Sequence, residues 1–268
     1  MISPDTHRIQ TPHGSLHVQS WTPPVPQRAP SLILLHDSLG SVALWRDFPE
    51  RLAQATGRQV IAYDRLGFGQ SDARHDRLPT SFVRDEAHGD FAAVVRHFGL
   101  EQFVVLGHSV GGGMGVCVAA AYPQACVGLV TISAQAFVES VTLDGLREAQ
   151  ARFAQPGQLE RLQKYHGDKA AWVLEAWLGT WLSEEFSTWT LDEQLAQVRC
   201  PVLCIHGDRD EYGSLAHQER IAAGVRGPVV RRVLSPGGHF PHREQPEWVI
   251  AEVQQFLAAH VAPAAPVA

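Results

Sequence analysis

Short apolar runs punctuate this chain, each ending in a polar or glycine-containing turn. Ser31–Leu35, Gln59–Tyr63, Val104–Leu106, Val127–Ile132 and Val202–Ile205 are such runs, and Val229–Leu234 is a sixth, β-branched one interrupted by two arginines. A strand covered on both faces needs apolar side chains on both, so these runs predict buried strands. Arg8–Trp21 differs: Leu16, Val18 and Ser20 alternate after His13-Gly14, the pattern of a β-hairpin. Helical periods fall between the runs. They predict helices over Trp45–Thr56, stopped by Gly57; from a Thr80 or Ser81 cap through to Phe98; from Gly111 to Tyr122; over Ser214–Val225; and over Pro246–His260. Strand and helix in alternation predict βαβ units: an α/β fold, its mostly parallel central sheet flanked by helices.

The rhythm breaks between residues 135 and 190. Strand signals vanish there, and Leu143, Leu146, Ala149 and Phe153 recur at spacings of three and four. Further on, Val173, Trp177 and Trp181 share one helical stripe, with Leu174, Leu178 and Leu182 beside it. The pattern predicts a helical cap inserted into the core, so that residues 1–134 and 191–262 form the core and 263–268 a flexible tail. An apolar stripe this wide has two uses, packing on the core and lining a substrate pocket.

Composition narrows the class. The 268 residues are 45% hydrophobic and 19% charged, with a net charge of −6, which are ordinary globular values. That charge, without a Lys/Arg cluster, argues against a nucleic-acid partner. No apolar run has the length of a membrane span, and Met1–Arg8 lacks the pattern of a secretory signal, so a cytoplasmic location is expected. Cys200 and Cys204, placed on one predicted strand, stand roughly 13 Å apart, too far for a disulfide. Cys117, Cys126, Cys200 and Cys204 therefore read as buried thiols. His239-x-x-His242 alone makes no zinc site, and neither metal nor cofactor is expected.

The chemistry enters at Gly107-x-Ser109-x-Gly111, directly after a predicted strand and before a small-residue helix. This spacing is that of a nucleophile elbow, a sharp strand-to-helix turn that raises a serine hydroxyl above a sheet. A serine needs a base to take its proton and a third group to hold that base. Two candidates follow at later strand ends, the Asp208/Asp210 pair and His239.

Four separated motifs now resemble the α/β-hydrolase family over nearly the whole chain. His36–Gly40 resembles its oxyanion turn, Tyr63–Asp72 its glycine loop, Gly207-Asp208-Arg209-Asp210 its acid turn, and Gly238-His239-Phe240-Pro241-His242-x-Glu244-x-Pro246 its histidine loop. The resemblance implies Ser109 as nucleophile, His239 as base and Asp210 as the acid, with Asp208 as fallback. It implies the Ser38 and Val110 amides as the oxyanion hole. His108, His206 and His242 read as structural or rim residues. One position departs from the pattern: where the family has His-Gly, this chain has His36-Asp37, a carboxylate next to a developing oxyanion unless it points away. Asp37, His108, Trp177, Trp181 and Phe240 are candidate pocket residues.

Family members that open epoxides or displace halides carry an aspartate at the elbow, whereas a serine implies an acyl-enzyme. The expected activity is hydrolysis of a small carboxylic ester, or a thioester, lactone or amide, with a hydrophobic or aromatic acyl group. A C–C bond hydrolase of ring-fission diketo acids and an acyltransferase are the alternatives. The former commonly carry Trp after the catalytic histidine, where this chain has Phe240. The motif also resembles that of cofactor-free haloperoxidases, and some hormone receptors keep this triad for binding alone. The expected partner is a small-molecule substrate, with monomer and homo-oligomer both open.

Overall fold

The computed structural model describes residues 2–25 and 29–261. Residues 26–28 and the tail expected at 263–268 lie outside the described residues. The strands, in chain order, are β1 (Asp5–Thr11), β2 (Gly14–Trp21), β3 (Ser31–Leu35), β4 (Val60–Tyr63), β5 (Phe103–His108), β6 (Cys126–Ile132), β7 (Val202–Gly207) and β8 (Val229–Leu234). Among the described residues these eight form one sheet in the order β1-β2-β4-β3-β5-β6-β7-β8. The hairpin β1–β2 joins β4 antiparallel, and every pair from β4 to β8 is parallel.

Strand alternation divides the core into two layers. Ile33, Leu35, Val105 and Leu129 face one side; Leu32, Leu34, Val104, Leu106 and Val130 face the other. The first side is covered by α3 (Asp90–Phe98), α4 (Val110–Ala121) and α9 (Leu215–Gly224), with Phe91, Val94, Val116 and Ile221 buried against it. The second is covered by α1 (Phe48–Thr56) and α11 (Pro246–His260) through Phe48, Leu52, Val249, Val253 and Phe256. Burying a side chain of this size contributes about 1.5–3 kcal/mol, so the two layers together hold the helices against both faces of the sheet.

Two predicted helices are each divided. The segment from Ser81 to Phe98 is α2 (Phe82–Asp85), a turn, and then α3. Gly89 (φ −93°, ψ −114°) breaks it, and the Asp90 carboxylate beyond it accepts the Leu66 amide at 2.7 Å. Trp45–Thr56 likewise splits into a 3₁₀ turn (Val42–Trp45) and α1, because Arg46 sits at φ 56° and Pro49 starts a new helix. Cys200 precedes β7 rather than lying on it, since Pro201 cannot donate to the ladder there. All four cysteines are free and buried.

Between β6 and β7 the chain forms α5 (Ser140–Phe153), α6 (Gln158–His166), α7 (Ala170–Trp181) and the short α8 (Asp192–Leu195). An isolated antiparallel bridge pairs Phe137 with Thr190 at the base of this segment. Leu146, Ala149, Ala176, Leu178, Trp181 and Phe186 are buried in the same cluster as Phe82, Val83 and Val110, so α5 and α7 share the core of the sheet, whereas Leu162 of α6 packs in a separate cluster with Phe68 and Val173. After β8 a one-turn helix α10 (Pro241–Glu244) leads into α11.

Candidate active site

Loops at the carboxyl ends of β3, β5, β6, β7 and β8 converge over the sheet. At the end of β5 the chain turns through Ser109, held at φ 57° and ψ −127°, and enters α4. This left-handed conformation strains a side-chain-bearing residue, and the surrounding structure must hold it. The Ser109 amide donates to Ile132 O at 2.9 Å, and the Ser109 carbonyl accepts from Gly112 at 2.9 Å. Bare backbone is obligatory on both sides of the turn. A Cβ on Gly107 would stand 2.1 Å from Gly111 O, and one on Gly111 would stand 2.2 Å from Leu35 O. The turn therefore sets the serine at the positive end of a 12-residue helix.

Opposite it lie His239, in the loop after β8, and Asp210, after β7. His239 Nδ1 donates to both Asp210 carboxylate oxygens at 2.8 Å. Asp210 Oδ1 also accepts from the Tyr212 amide at 2.8 Å. His206 Nε2 lies 3.3 Å from Oδ2 and donates to Gly213 O at 2.9 Å, so it holds the acid turn. Burial disfavours a charged His239, but the Asp210 carboxylate outweighs it and raises His239 above its ordinary 6.5. Burial likewise opposes ionisation of Asp210, yet the His239 charge and hydrogen bond hold it below the usual carboxylate value. Asp208 takes a different part: its carboxylate accepts from Ser235 Oγ and the Gly237 amide, closing a turn at the surface.

The Ser109 hydroxyl itself donates to Gln135 Oε1 at 3.2 Å, and among the described residues it makes no hydrogen bond to His239. Gln135 is 4% exposed at the end of β6. Its neighbours fix it: Ser133 turns the chain at φ 48°, and the Ala136 amide donates to His217 Nδ1 at 3.1 Å. No pattern in the sequence marked Gln135, because its partner lies 26 residues away on another strand end.

Ser38 and Val110 stand beside the serine, and among the described residues neither backbone N–H has a protein acceptor. Asp37 resolves the departure noted in the sequence. Its Oδ1 accepts from the Leu39 amide at 2.9 Å, while Oδ2 faces His108 Nδ1 at 3.3 Å and Arg243 Nη2 at 3.9 Å. Neither oxygen bonds the Ser38 amide. Burial would raise the Asp37 carboxyl, but His108, Arg243 and His36 outweigh it and hold it far below the usual carboxylate range.

A cavity of about 90 Å³ lies over Ser109 and His239, lined by Asp37, Ser38, Gln135 and Phe240 from the loops. Thr142, Leu146, Trp177 and Trp181 line it from α5 and α7, and Tyr212 from the acid loop. A much smaller pocket sharing Ser38, Trp177 and Trp181 with it is lined by Val110, Arg65 and Phe68. A larger one of about 370 Å³, sharing Asp37, Tyr212 and Phe240 with it, carries Arg152, Arg161 and Arg243. His108 takes the structural one of its two sequence readings and does not line the cavity. It is 1% exposed and lies behind the cavity, because its Nε2 donates to His239 O at 2.8 Å and its ring packs on His242. Among the described residues no group of three or more His, Cys, Asp or Glu side chains is arranged to hold a metal ion, and no helix is long and apolar enough to cross a membrane.

A strand-ordered α/β sheet, a serine on a strained strand-to-helix turn and a histidine–carboxylate pair define the class. Residues 30–185, more than half of the chain, match the family model described as alpha/beta hydrolase fold, and the chain belongs to that family. Over 128 residues it is 34% identical to epoxide hydrolase B of Mycobacterium tuberculosis, a stretch covering 47% of this chain and 35% of that protein. The chain thus spans about a third of the length of that curated relative. Carboxylesterase YbfK of Bacillus subtilis is 27% identical over 282 residues, covering 97% of this chain and 90% of that one. The crystal structure of proline iminopeptidase from Mycobacterium smegmatis superposes with a TM-score of 0.71 at 26% identity, covering 96% and 98% of the two chains.

Proposed function

We propose that the protein is a serine hydrolase acting on a small carboxylic ester, or a related thioester, lactone or amide, through an acyl-enzyme on Ser109. The observation that carries this reading is the serine at φ 57° facing a cavity that it shares with a His239 hydrogen-bonded to Asp210. With Nδ1–H engaged by Asp210, the basic nitrogen of His239 is Nε2. In this reading the Ser109 hydroxyl turns from Gln135 to His239, which takes its proton as Oγ attacks the carbonyl. His239 then returns that proton to the leaving group, and water repeats the sequence to release the acid. The Ser38 and Val110 amides receive the oxyanion.

Trp177, Trp181, Leu146 and Phe240 wall the cavity and suit a hydrophobic or aromatic acyl group. Residues 135–190 act as a lid in this scheme. Relatives named carboxylesterase and proline iminopeptidase support acyl transfer from an ester or an amide. The similarity to an epoxide hydrolase is outweighed by the elbow residue, since that chemistry takes an aspartate where this chain has Ser109.

The test is Ser109→Ala assayed on short p-nitrophenyl esters. Turnover is expected to fall by about 10⁴-fold or more, with the circular dichroism spectrum unchanged. Undiminished turnover by the folded variant overturns the reading.

A further inference from the structure

The peptide joining Asp37 to Ser38 is clamped at its carbonyl. Asp37 O accepts from Arg65 Nη2 at 2.9 Å, from His36 Nδ1 at 2.8 Å and from the Gly40 amide at 3.1 Å. The His36 tautomer is fixed by its other nitrogen. Nε2 accepts from the Arg65 amide at 3.2 Å, so the proton is on Nδ1 and points at Asp37 O. In a trans peptide the carbonyl and the following N–H point in opposite directions. Anchoring Asp37 O on the Arg65 side therefore turns the Ser38 N–H the other way. Ser38 lines the cavity there with Ser109, and its N–H has no protein acceptor among the described residues.

Arg65 is an unusual choice for a merely structural clamp. It is 4% exposed, forms no salt bridge among the described residues, and its Nε is buried without a partner. Its guanidinium lies 4.2 Å above the Phe68 ring. Burial disfavours its charge, and the neighbouring Glu86, Tyr63, Asp37 and Asp90 compensate only in part. Burying a cation without a paired anion is costly. Here its Nη2 is directed at one backbone carbonyl. A positive charge at a peptide oxygen draws electron density from the amide nitrogen and makes the N–H on the far side a stronger donor.

We infer that Arg65 is a positioning residue that both aims and polarises the Ser38 amide, strengthening the oxyanion site from behind. The inference rests on the reading of Ser109 as nucleophile and of Ser38 as oxyanion donor.

Two variants separate its parts. Arg65→Lys keeps the charge, whereas Arg65→Gln keeps a donor toward Asp37 O and removes the charge. Arg65→Gln is expected to lower kcat about tenfold, less than the loss of a whole oxyanion donor, with KM within about twofold. Arg65→Lys is expected to retain most of kcat. The decisive readout is a trifluoromethyl ketone that adds to Ser109 as a hemiketal, followed by carbon-13 shift against pH. The hemiketal should ionise at distinctly higher pH in Arg65→Gln than in wild type or Arg65→Lys. Equal ionisation in all three folded proteins overturns the inference and leaves the serine hydrolase reading standing. Failure of the wild-type enzyme to form a hemiketal overturns that reading and the inference with it. If Arg65→Gln does not fold, the comparison rests on Arg65→Lys, and a tenfold loss of kcat in that folded, charge-retaining variant overturns the inference.

Discussion

His239 accepts a proton during the proposed reaction and must be neutral to do so. Asp210 raises it above 6.5, so kcat/KM is expected to fall as pH drops through a single ionisation whose midpoint lies above that value. In Asp210→Asn the counter-charge is gone and burial remains, so the limb should move to lower pH. The rate should fall by about 10³–10⁴-fold because the imidazole loses its fixed tautomer. A pH profile of both proteins checks the sign, and an unmoved limb in the variant counts against Asp210 as the partner. At this scale the triad candidates were legible in the sequence, since each stands in a short glycine-bearing motif at a strand end. Gln135, Arg65 and Tyr212 were not. Each acquires its place through partners contributed by other elements, such as the Asp37 carbonyl for Arg65 and the Trp177 and His239 rings for Tyr212.

The elbow joins β5 to α4 at the point where α4 also approaches β3. Gly111→Ala would put a Cβ 2.2 Å from Leu35 O, a backbone atom that cannot swing aside as a side chain can. β3 and α4 must part, which costs about 1–3 kcal/mol, the usual penalty of overpacking a core. The movement also drags the His36–Gly40 loop away from Ser109. A lower denaturation midpoint together with a loss of kcat larger than any change in KM is expected. Full activity would mean that the contact relaxes elsewhere. Element type was readable from apolar runs and helical periods, whereas the breaks at Arg46 and Gly89 were not. The Gly89 break coincides with the hydrogen bond from Leu66 to Asp90, which belongs to a loop distant in sequence.

The helices over the site are tied to the core by polar contacts as well as by packing. His166 Nδ1 accepts from the Gly69 amide at 2.8 Å, and its Nε2 donates to Leu39 O at 3.0 Å. Lys169 Nζ donates to Gly69 O and Ser71 O at 2.8 Å each. One histidine thus clips α6 to both the His36–Gly40 turn and the glycine loop. His166→Leu leaves the Gly69 N–H and the Leu39 carbonyl without partners, each at a cost of about 1–3 kcal/mol. Amide hydrogen exchange in residues 158–181 is expected to quicken, and KM to rise more than kcat falls. Unchanged exchange in this segment would show that packing alone holds it.

The sequence by itself determined the class of fold, the order of serine, acid and histidine, and the departure at Asp37. Those features are local: apolar runs, glycine at tight turns and motif spacing all act over a few residues. Tertiary structure alone decided which side chains share the cavity, because that depends on the packing of α5 and α7 over the sheet. It placed His108 behind the site and Gln135 within it. It also decided what Asp37 does. A carboxylate read in isolation opposes an oxyanion, but here its oxygens face the Leu39 amide, His108 and Arg243, and its carbonyl is bound by Arg65 and His36. The charge of a residue can be read from the chain, whereas the direction of that charge depends on the partners that folding brings to it.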